Sequence, residues 1–175
     1  KFAKKGQIYS AEDRIRLIAL DIANHFVKHI NDELKGQLAC DSKASAIKYK
    51  QYLDEAGLFE SAVVMSAPDS REGNTEVDEA AMPEVQKWWN EHVGNQDEQI
   101  YTKQIIDRFD KDPSLKLLIV VDKLLTGFDE PKNAVLYIDK PLKGHNLIQA
   151  IARVNRLHPK KDFGLLIDYR GILSE

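Results

Sequence analysis

One cysteine, two methionines and no long apolar stretch are what the 175-residue sequence most plainly lacks. With Cys40 alone no internal disulfide forms, so the residue is expected to act as a small apolar filler in an intracellular, cytoplasmic protein. No run of ~18 apolar residues occurs, and Lys1 is not followed by a charged start and an apolar signal core, so neither a membrane span nor export is expected. The chain also has no GxxxxGK[ST] loop to cradle phosphates and no Asp-Glu strand end to hold magnesium and orient water. No serine, histidine and acid arrangement suggests hydrolase chemistry of its own. What is present, 43% hydrophobic residues over this length, suffices for one domain with a real core. The chain starts on lysine and ends on Glu175 just after an apolar strand pattern, so the expectation is a piece of a longer protein.

The net charge of -3 conceals a strong asymmetry along the chain. From Asp54 to Glu98 twelve acids face only Arg71 and Lys87, a local sum of -10. From Lys140 to Lys161 the sign reverses to +6, from Lys140, Lys143, Arg153, Arg156, Lys160 and Lys161 with no acid among them. Such a window is either a solvated face or a field that attracts phosphates.

Apolar periodicity predicts the elements. Ser10 to Ile30 reads as an amphipathic helix capped by Ser10, with Ile15, Ile18, Ile22, Phe26 and Ile30 on one face. His25 and His29 offer it two of a metal site's three or four ligands with no third nearby, so no metal is expected. Leu34 to Cys40 reads as a strand, Ser42 to Ala56 as a capped helix ended by Gly57, and Phe59 to Met65 as the next strand of a βαβ unit. Ser66 to Gly94 breaks the rhythm and is expected as an acidic insertion over 66–95, with Pro83 opening a short helix that bears Trp88 and Trp89. Adjacent tryptophans cannot share a helix face, so one packs inward and the other sits at a rim or interface. A helix over Glu98 to Phe109 leads to the unbroken run Leu117, Leu118, Ile119, Val120 and Val121, a central parallel strand buried on both faces. Ala134 to Ile138, a helix from Asn146 to about Leu157, and Phe163 to Asp168 complete five parallel-strand candidates in an α/β fold.

Two stretches carry chemistry. The apolar run stops at a Thr-Gly-Phe-Asp turn, placing Thr126, Gly127 and Asp129 beyond a strand's carboxyl end, where ligands bind in open α/β sheets and where glycine lets the backbone approach a phosphate or sugar. In the helix LIQAIARVNRLH, Gln149, Arg153 and Arg156 recur at spacings of four and three and share a face, while Ile148, Ile151 and Val154 lie opposite. With no acid in that helix the arginines need an external anion or a distant carboxylate. A phosphate fits, because a guanidinium fork holds two phosphate oxygens and stabilises charge on a transferred phosphoryl group.

VVDKLLTGFDEP followed by LIQAIARVNR resembles the fifth and sixth helicase motifs in the second RecA-like domain of superfamily 2 helicases and translocases, and most closely the motor of the R (restriction) subunit of type I restriction enzymes. The resemblance implies a RecA-like domain over 1–175, with helices on both faces of a mainly parallel sheet and an amphipathic helix over 1–32 packed on it or leading into it. It implies that Gly127, Asp129 and Gln149 face the nucleotide, that Arg153 and Arg156 act as arginine finger, and that Thr126, Ser42 and Lys43 face nucleic acid. It implies ATP and Mg2+ bound mainly by an upstream RecA-like domain of the same protein, so that the chain alone is inactive. The partners implied are double-stranded DNA and the modification and specificity subunits. The chain departs from the family pattern in having Val121 and Asp122 where many members open the fifth motif with threonine, and Ala152 where a glycine often precedes the first arginine. Another superfamily 2 DNA helicase or repair translocase, or a non-catalytic RecA-like module that binds nucleic acid or protein, are the alternative readings.

Overall fold

The computed structural model describes residues 2–30, 32–68, 83–121, 131–155, 157–161 and 164–171, with side chains from residue 12 onward except that of Arg153. The chain runs α1 (Phe2–His29), β1 (Lys35–Cys40), α2 (Lys43–Ala56), β2 (Glu60–Val64), α3 (Pro83–His92), α4 (Glu98–Lys111), β3 (Leu115–Val121), β4 (Asn133–Asp139), α5 (His145–Val154) and β5 (Leu165–Asp168). Every pairing between these strands is parallel, in the order β2-β3-β1-β4-β5. The expected α/β fold is therefore present. The Leu117 to Val121 run is interior but not central: it lies between β2 and β1, and β1 holds the middle. The expected βαβ unit is present as β1, α2 and β2, with β3 inserted between its two parallel strands.

Both faces are covered, which is why the strands read as continuous apolar runs. Alternate residues point to opposite sides. Leu117, Ile119 and Val121 of β3 join Val135 and Tyr137 of β4 beneath α1 and α2. Leu118 and Val120 join Leu136 and Ile138 on the other face, against Phe109 of α4 and Ala150 and Val154 of α5. The apolar stripe of α1 is the predicted one, with Ile15, Ile18, Ile22, Phe26 and Ile30 all buried. Its start is earlier than predicted, since Ala3, Lys4, Lys5 and Gln7 favour a helix and extend it past Ser10. On α2, Ser42 caps the first turn by accepting from the Ser45 amide, and Gly57, at φ 66°, stops the helix.

Two lysines, the buried Lys35 and the half-buried Lys161, tie helices to the sheet. Lys35 donates to the carbonyls of Phe109 and Asp112, placing a cation at the C-terminus of α4, and stands over the Phe109 ring. Lys161 donates to the carbonyls of Val154 and Asn133, pinning the end of α5 to the start of β4. Trp88 is the tryptophan that turns inward, stacking on His92 and meeting Tyr101 edge-on, while Trp89 is half-buried against the same core. Burial pushes the Tyr101 hydroxyl up to about 12, and it donates to the Val63 carbonyl. His25 is hydrogen-bonded to the Tyr137 hydroxyl at 2.7 Å. Among the described residues no group of three metal-capable side chains gathers around it, and no helix is long and apolar enough to cross a membrane.

Where α1 crosses β1 there is no room for a side chain. A Cβ at Gly36 would lie 2.7 Å from Cγ1 of Val135 and 3.1 Å from Cε2 of Phe26. Valine is stiff at χ1, so the neighbour yields poorly. Gly36→Ala is expected to cost about 1–3 kcal/mol through overpacking. Guanidinium denaturation should show a lower midpoint at unchanged slope, and a midpoint equal to wild type would refute the tight crossing.

Candidate functional site

Parallel strands finish at a common edge. Cys40 is in register with Val121 on one side and Asp139 on the other, and Ile138 with Asp168. At this carboxyl edge stands Asp139, its side chain 2% exposed. Arg14 of α1 donates to both its oxygens, Nη1 to Oδ2 at 3.1 Å and Nη2 to Oδ1 at 2.6 Å. The Tyr49 hydroxyl of α2 donates to Oδ2 at 2.6 Å, and Nε of Arg170, just past β5, donates to Oδ1 at 2.8 Å. Arg170 also reaches Asp41, after β1, through Nη2 at 2.8 Å. One buried carboxylate thus gathers two helices and the ends of β1, β4 and β5.

Electrostatics follow from these contacts. Burial alone would raise the Asp139 carboxyl, but hydrogen bonds from Arg14, Tyr49 and Arg170 outweigh it and hold the group below the usual carboxylate range. Burial and then the bond to Asp139 push the Tyr49 hydroxyl far up. Cys40, fully buried at the same edge, has its thiol raised by burial first and by Asp139 second, so it stays a protonated thiol. Asp139, Arg14, Tyr49, Asp41 and Arg170 were not singled out by sequence reasoning; the only trace is an apolar run, AVLYID, that ends on an acid.

The residues expected from the motifs are placed unevenly. Thr126, Gly127 and Asp129 lie outside the described residues, in a segment that departs from Val121 at this edge. Arg156 is likewise outside, and of Arg153 only the backbone is described, in α5. Gln149 is half-buried on α5, its Nε2 3.0 Å from Nε2 of His145. The helix is held by a narrow seam, Ala150 and Val154, with Leu142 of the preceding loop. Gly164 lets β5 pass close beneath it, since a Cβ there would meet the Val154 carbonyl oxygen at 2.2 Å. Of the three apolar residues expected opposite the arginines, only Val154 is buried; Ile148 is 65% and Ile151 44% exposed. The small Ala150 makes the close approach instead.

Ser42 and Lys43 part company. Ser42 is half-exposed at the N-terminus of α2, its hydroxyl spent on Ser45. Lys43 is 1% exposed and donates to the Ala67 carbonyl at 3.2 Å, its stem part of the packing between α2 and the segment after β2.

Removing the Asp139 charge should be felt chiefly above acid pH. Its folded-state pKa is depressed, so its stabilisation is present above the unfolded value of roughly 3.9 and is lost as pH falls through the folded value. Asp139→Asn should lower unfolding free energy by about 3 kcal/mol at neutral pH, the low end for breaking a buried pair, because both arginines retain some access to water. Denaturant titrations at a series of pH values should show the gap to wild type closing below about pH 4; a gap independent of pH would contradict the assignment.

Comparison with known proteins agrees with this arrangement. The family model described as type I restriction enzyme subunit R domain 3 matches residues 10–171. A putative type I restriction enzyme endonuclease subunit, MjaIXP of Methanocaldococcus jannaschii, is 36% identical over 178 residues, covering 99% of this chain and 16% of that protein. The HindI endonuclease subunit of Haemophilus influenzae is 34% identical over 179 residues, with 98% and 16% covered. The chain thus spans about one sixth of the length of these relatives. Among solved structures, domain 2 of the DEAD-box helicase Mss116p, bound to an RNA duplex, superposes with TM-score 0.54 at 14% identity over 90% of this chain and 49% of that one. The ATP-dependent type ISP restriction-modification enzyme LlaBIII, bound to DNA, does so with TM-score 0.50 at 14% identity over 89% of this chain and 9% of that one. At these identities the structural likeness establishes the RecA-like fold, and with the family match over nearly all its length the chain belongs to the type I restriction enzyme R subunit family, as its domain 3.

Proposed function

We propose that this domain is the second RecA-like half of an ATP-driven motor that moves duplex DNA, within the R subunit of a type I restriction endonuclease. The observation that carries the proposal is the setting of α5. Among the described residues it is anchored by the Ala150 and Val154 seam with Leu142 and by Lys161 at its C-terminal end, so the flank with Ile148 and Ile151 and the neighbouring Gln149 remain open to an opposing surface. Exposed apolar residues beside cationic ones suit a face on which another domain closes.

On this reading Arg153 and Arg156 reach the phosphates of ATP across an interdomain cleft and stabilise the charge that develops on the transferred phosphoryl group. Gly127, Asp129 and Gln149 line the nucleotide. Mg2+ and the β- and γ-phosphates are held by a phosphate loop and an acidic strand end in another RecA-like domain, since neither motif occurs here. DNA phosphates meet Thr126 and the first turn of α2 behind Ser42, where backbone amides and the helix dipole favour an anion. The modification and specificity subunits complete the assembly and supply site recognition. The family match and the RecA-like neighbours support this reading without fixing any residue's role.

A second reading, in which the arginines only bind nucleic-acid backbone or an acidic partner, draws on the basic window from Lys140 to Lys161. That window is weaker than its count suggests, because Lys161 is committed to the carbonyls of Val154 and Asn133.

In the intact subunit, Arg153→Ala or Arg156→Ala should reduce ATP turnover by about 10³-fold or more, the range for arginine fingers. DNA-stimulated ATPase near wild type in both variants would exclude the motor reading, and weakened DNA binding with normal ATPase would favour the second. The 175-residue chain by itself should hydrolyse no ATP; measurable turnover by the purified piece would overturn the composite-site scheme.

A further inference from the structure

We infer that Arg170 is a positioning residue that locks the loop after β1 to the end of β4, from which the chain leads into the helix that carries Arg153, coupling the DNA side of the domain to that helix. This deepens the motor reading and rests on it. The geometry is that of a strut. Nε of Arg170 donates to Oδ1 of Asp139, Nη2 to Oδ2 of Asp41 at 2.8 Å, and the same Nη2 approaches the Asp139 main-chain carbonyl at 3.4 Å. A guanidinium is the side chain suited to this, since its rigid fork spans two acceptors at fixed separation.

The two carboxylates it joins stand at the starts of different routes. Asp41 immediately precedes Ser42 and the N-terminus of α2, the end suited to a DNA phosphate. Asp139 immediately precedes the loop Lys140–Gly144, which delivers the chain to α5. Behind Arg170, Asp41 and Asp139 are also related through the β1 and β4 ladder and through the Tyr49 hydroxyl of α2, which donates to Asp139; Arg170 is the side chain that contacts both carboxylates directly.

Arg170 is not needed to neutralise Asp139. Arg14 already donates to both carboxylate oxygens and Tyr49 to one, so the buried charge keeps its partners when Arg170 is removed. The Asp41 carboxylate is 40% and the Arg170 side chain 30% exposed, so this link lies at the surface, where breaking it leaves groups that water can reach. Arg14 serves the fold, and Arg170 serves the relation between the loop after β1 and the end of β4. Its substitution therefore changes coupling before it changes folding.

The test uses the intact subunit assembled on DNA, comparing Arg170→Ala, Arg170→Lys, Asp41→Asn and the double variant Arg170→Ala with Asp41→Asn. Arg170→Ala should lower the kcat of DNA-stimulated ATP hydrolysis about tenfold, within the range of coupling between two sites, with KM for ATP within about twofold. Arg170→Lys should recover part of the loss, since an ammonium reaches one acceptor but lacks the fork. Asp41→Asn removes the other end of the same link, so the double variant should be no worse than the poorer single one. A purely structural role would lower kcat only in step with a fall in melting temperature, and would raise KM for ATP as well. A kcat within twofold of wild type for Arg170→Ala overturns the inference, as does additivity in the double variant. Should Arg170→Ala melt far below wild type, Asp41→Asn, which leaves the Asp139 cluster intact, carries the measurement. Arg153→Ala serves as the control. If it abolishes turnover while Arg170→Ala is normal, the inference fails and the motor reading stands; if it leaves turnover normal, the motor reading fails and takes the inference with it.

Discussion

The buried carboxylate of Asp139 is the constraint on which the rest of this domain depends. A charge in that position is tolerated only when compensated, and the compensation comes first from Arg14, 125 positions earlier in the chain, which donates to both oxygens, and from the Tyr49 hydroxyl, with Arg170, 31 positions later, adding a further bond. A parallel sheet has its functional loops at the carboxyl edge, where the strands no longer hold one another. Placing a charge with fixed directional needs at that edge sets two covering helices and three strand ends relative to one another more closely than apolar packing alone would.

The two faces of the sheet are used differently. Beneath α1 and α2 the packing is broad, with Phe26, Tyr49, Leu53 and Tyr137 among the buried large side chains. On the other side α5 rests on one small residue and one valine, aided by a lysine at its C-terminus and a glycine beneath it. The first face stabilises the domain. The second presents a helix that is fixed in place yet largely open.

Much of the architecture was legible in the sequence because doubly covered strands announce themselves. Leu117 to Val121 and Ala134 to Ile138 have no polar interruptions, and the caps at Ser42 and Gly57 and the stripe on α1 follow local rules that tertiary context did not override. Spatial order was not legible, since local signals do not say that β3 comes between β1 and β2. The seam of α5 was misjudged because hydrophobicity favours Ile148 and Ile151 over Ala150, whereas close helix-to-sheet approach favours the small residue. Lys43 reads as a surface cation until its stem is seen inside the packing, as amphipathic lysines allow. The Asp139 cluster could not be read at all, because its members share no spacing. Of the candidate site, the sequence singles out Thr126, Gly127, Asp129, Gln149, Arg153 and Arg156, of which Gln149 is described in full, Arg153 as backbone, and the others lie outside the described residues.

The middle position of β1 carries a consequence for how the chain acquires its structure. β1 spans residues 35–40, yet both of its hydrogen-bonding neighbours are drawn from Leu115 onward. As the polypeptide leaves the ribosome, the strand destined for the centre of the sheet must therefore wait, with both edges unpaired, until some eighty further residues have been made, and longer still for β4 to close the other side. The long amphipathic α1 lies just before it in sequence and packs across Gly36, so it is placed to shield one face of β1 during that interval. The helix that later supplies Arg14 to the buried carboxylate is thus also the part of the fold best placed to act as an intramolecular chaperone for its own central strand.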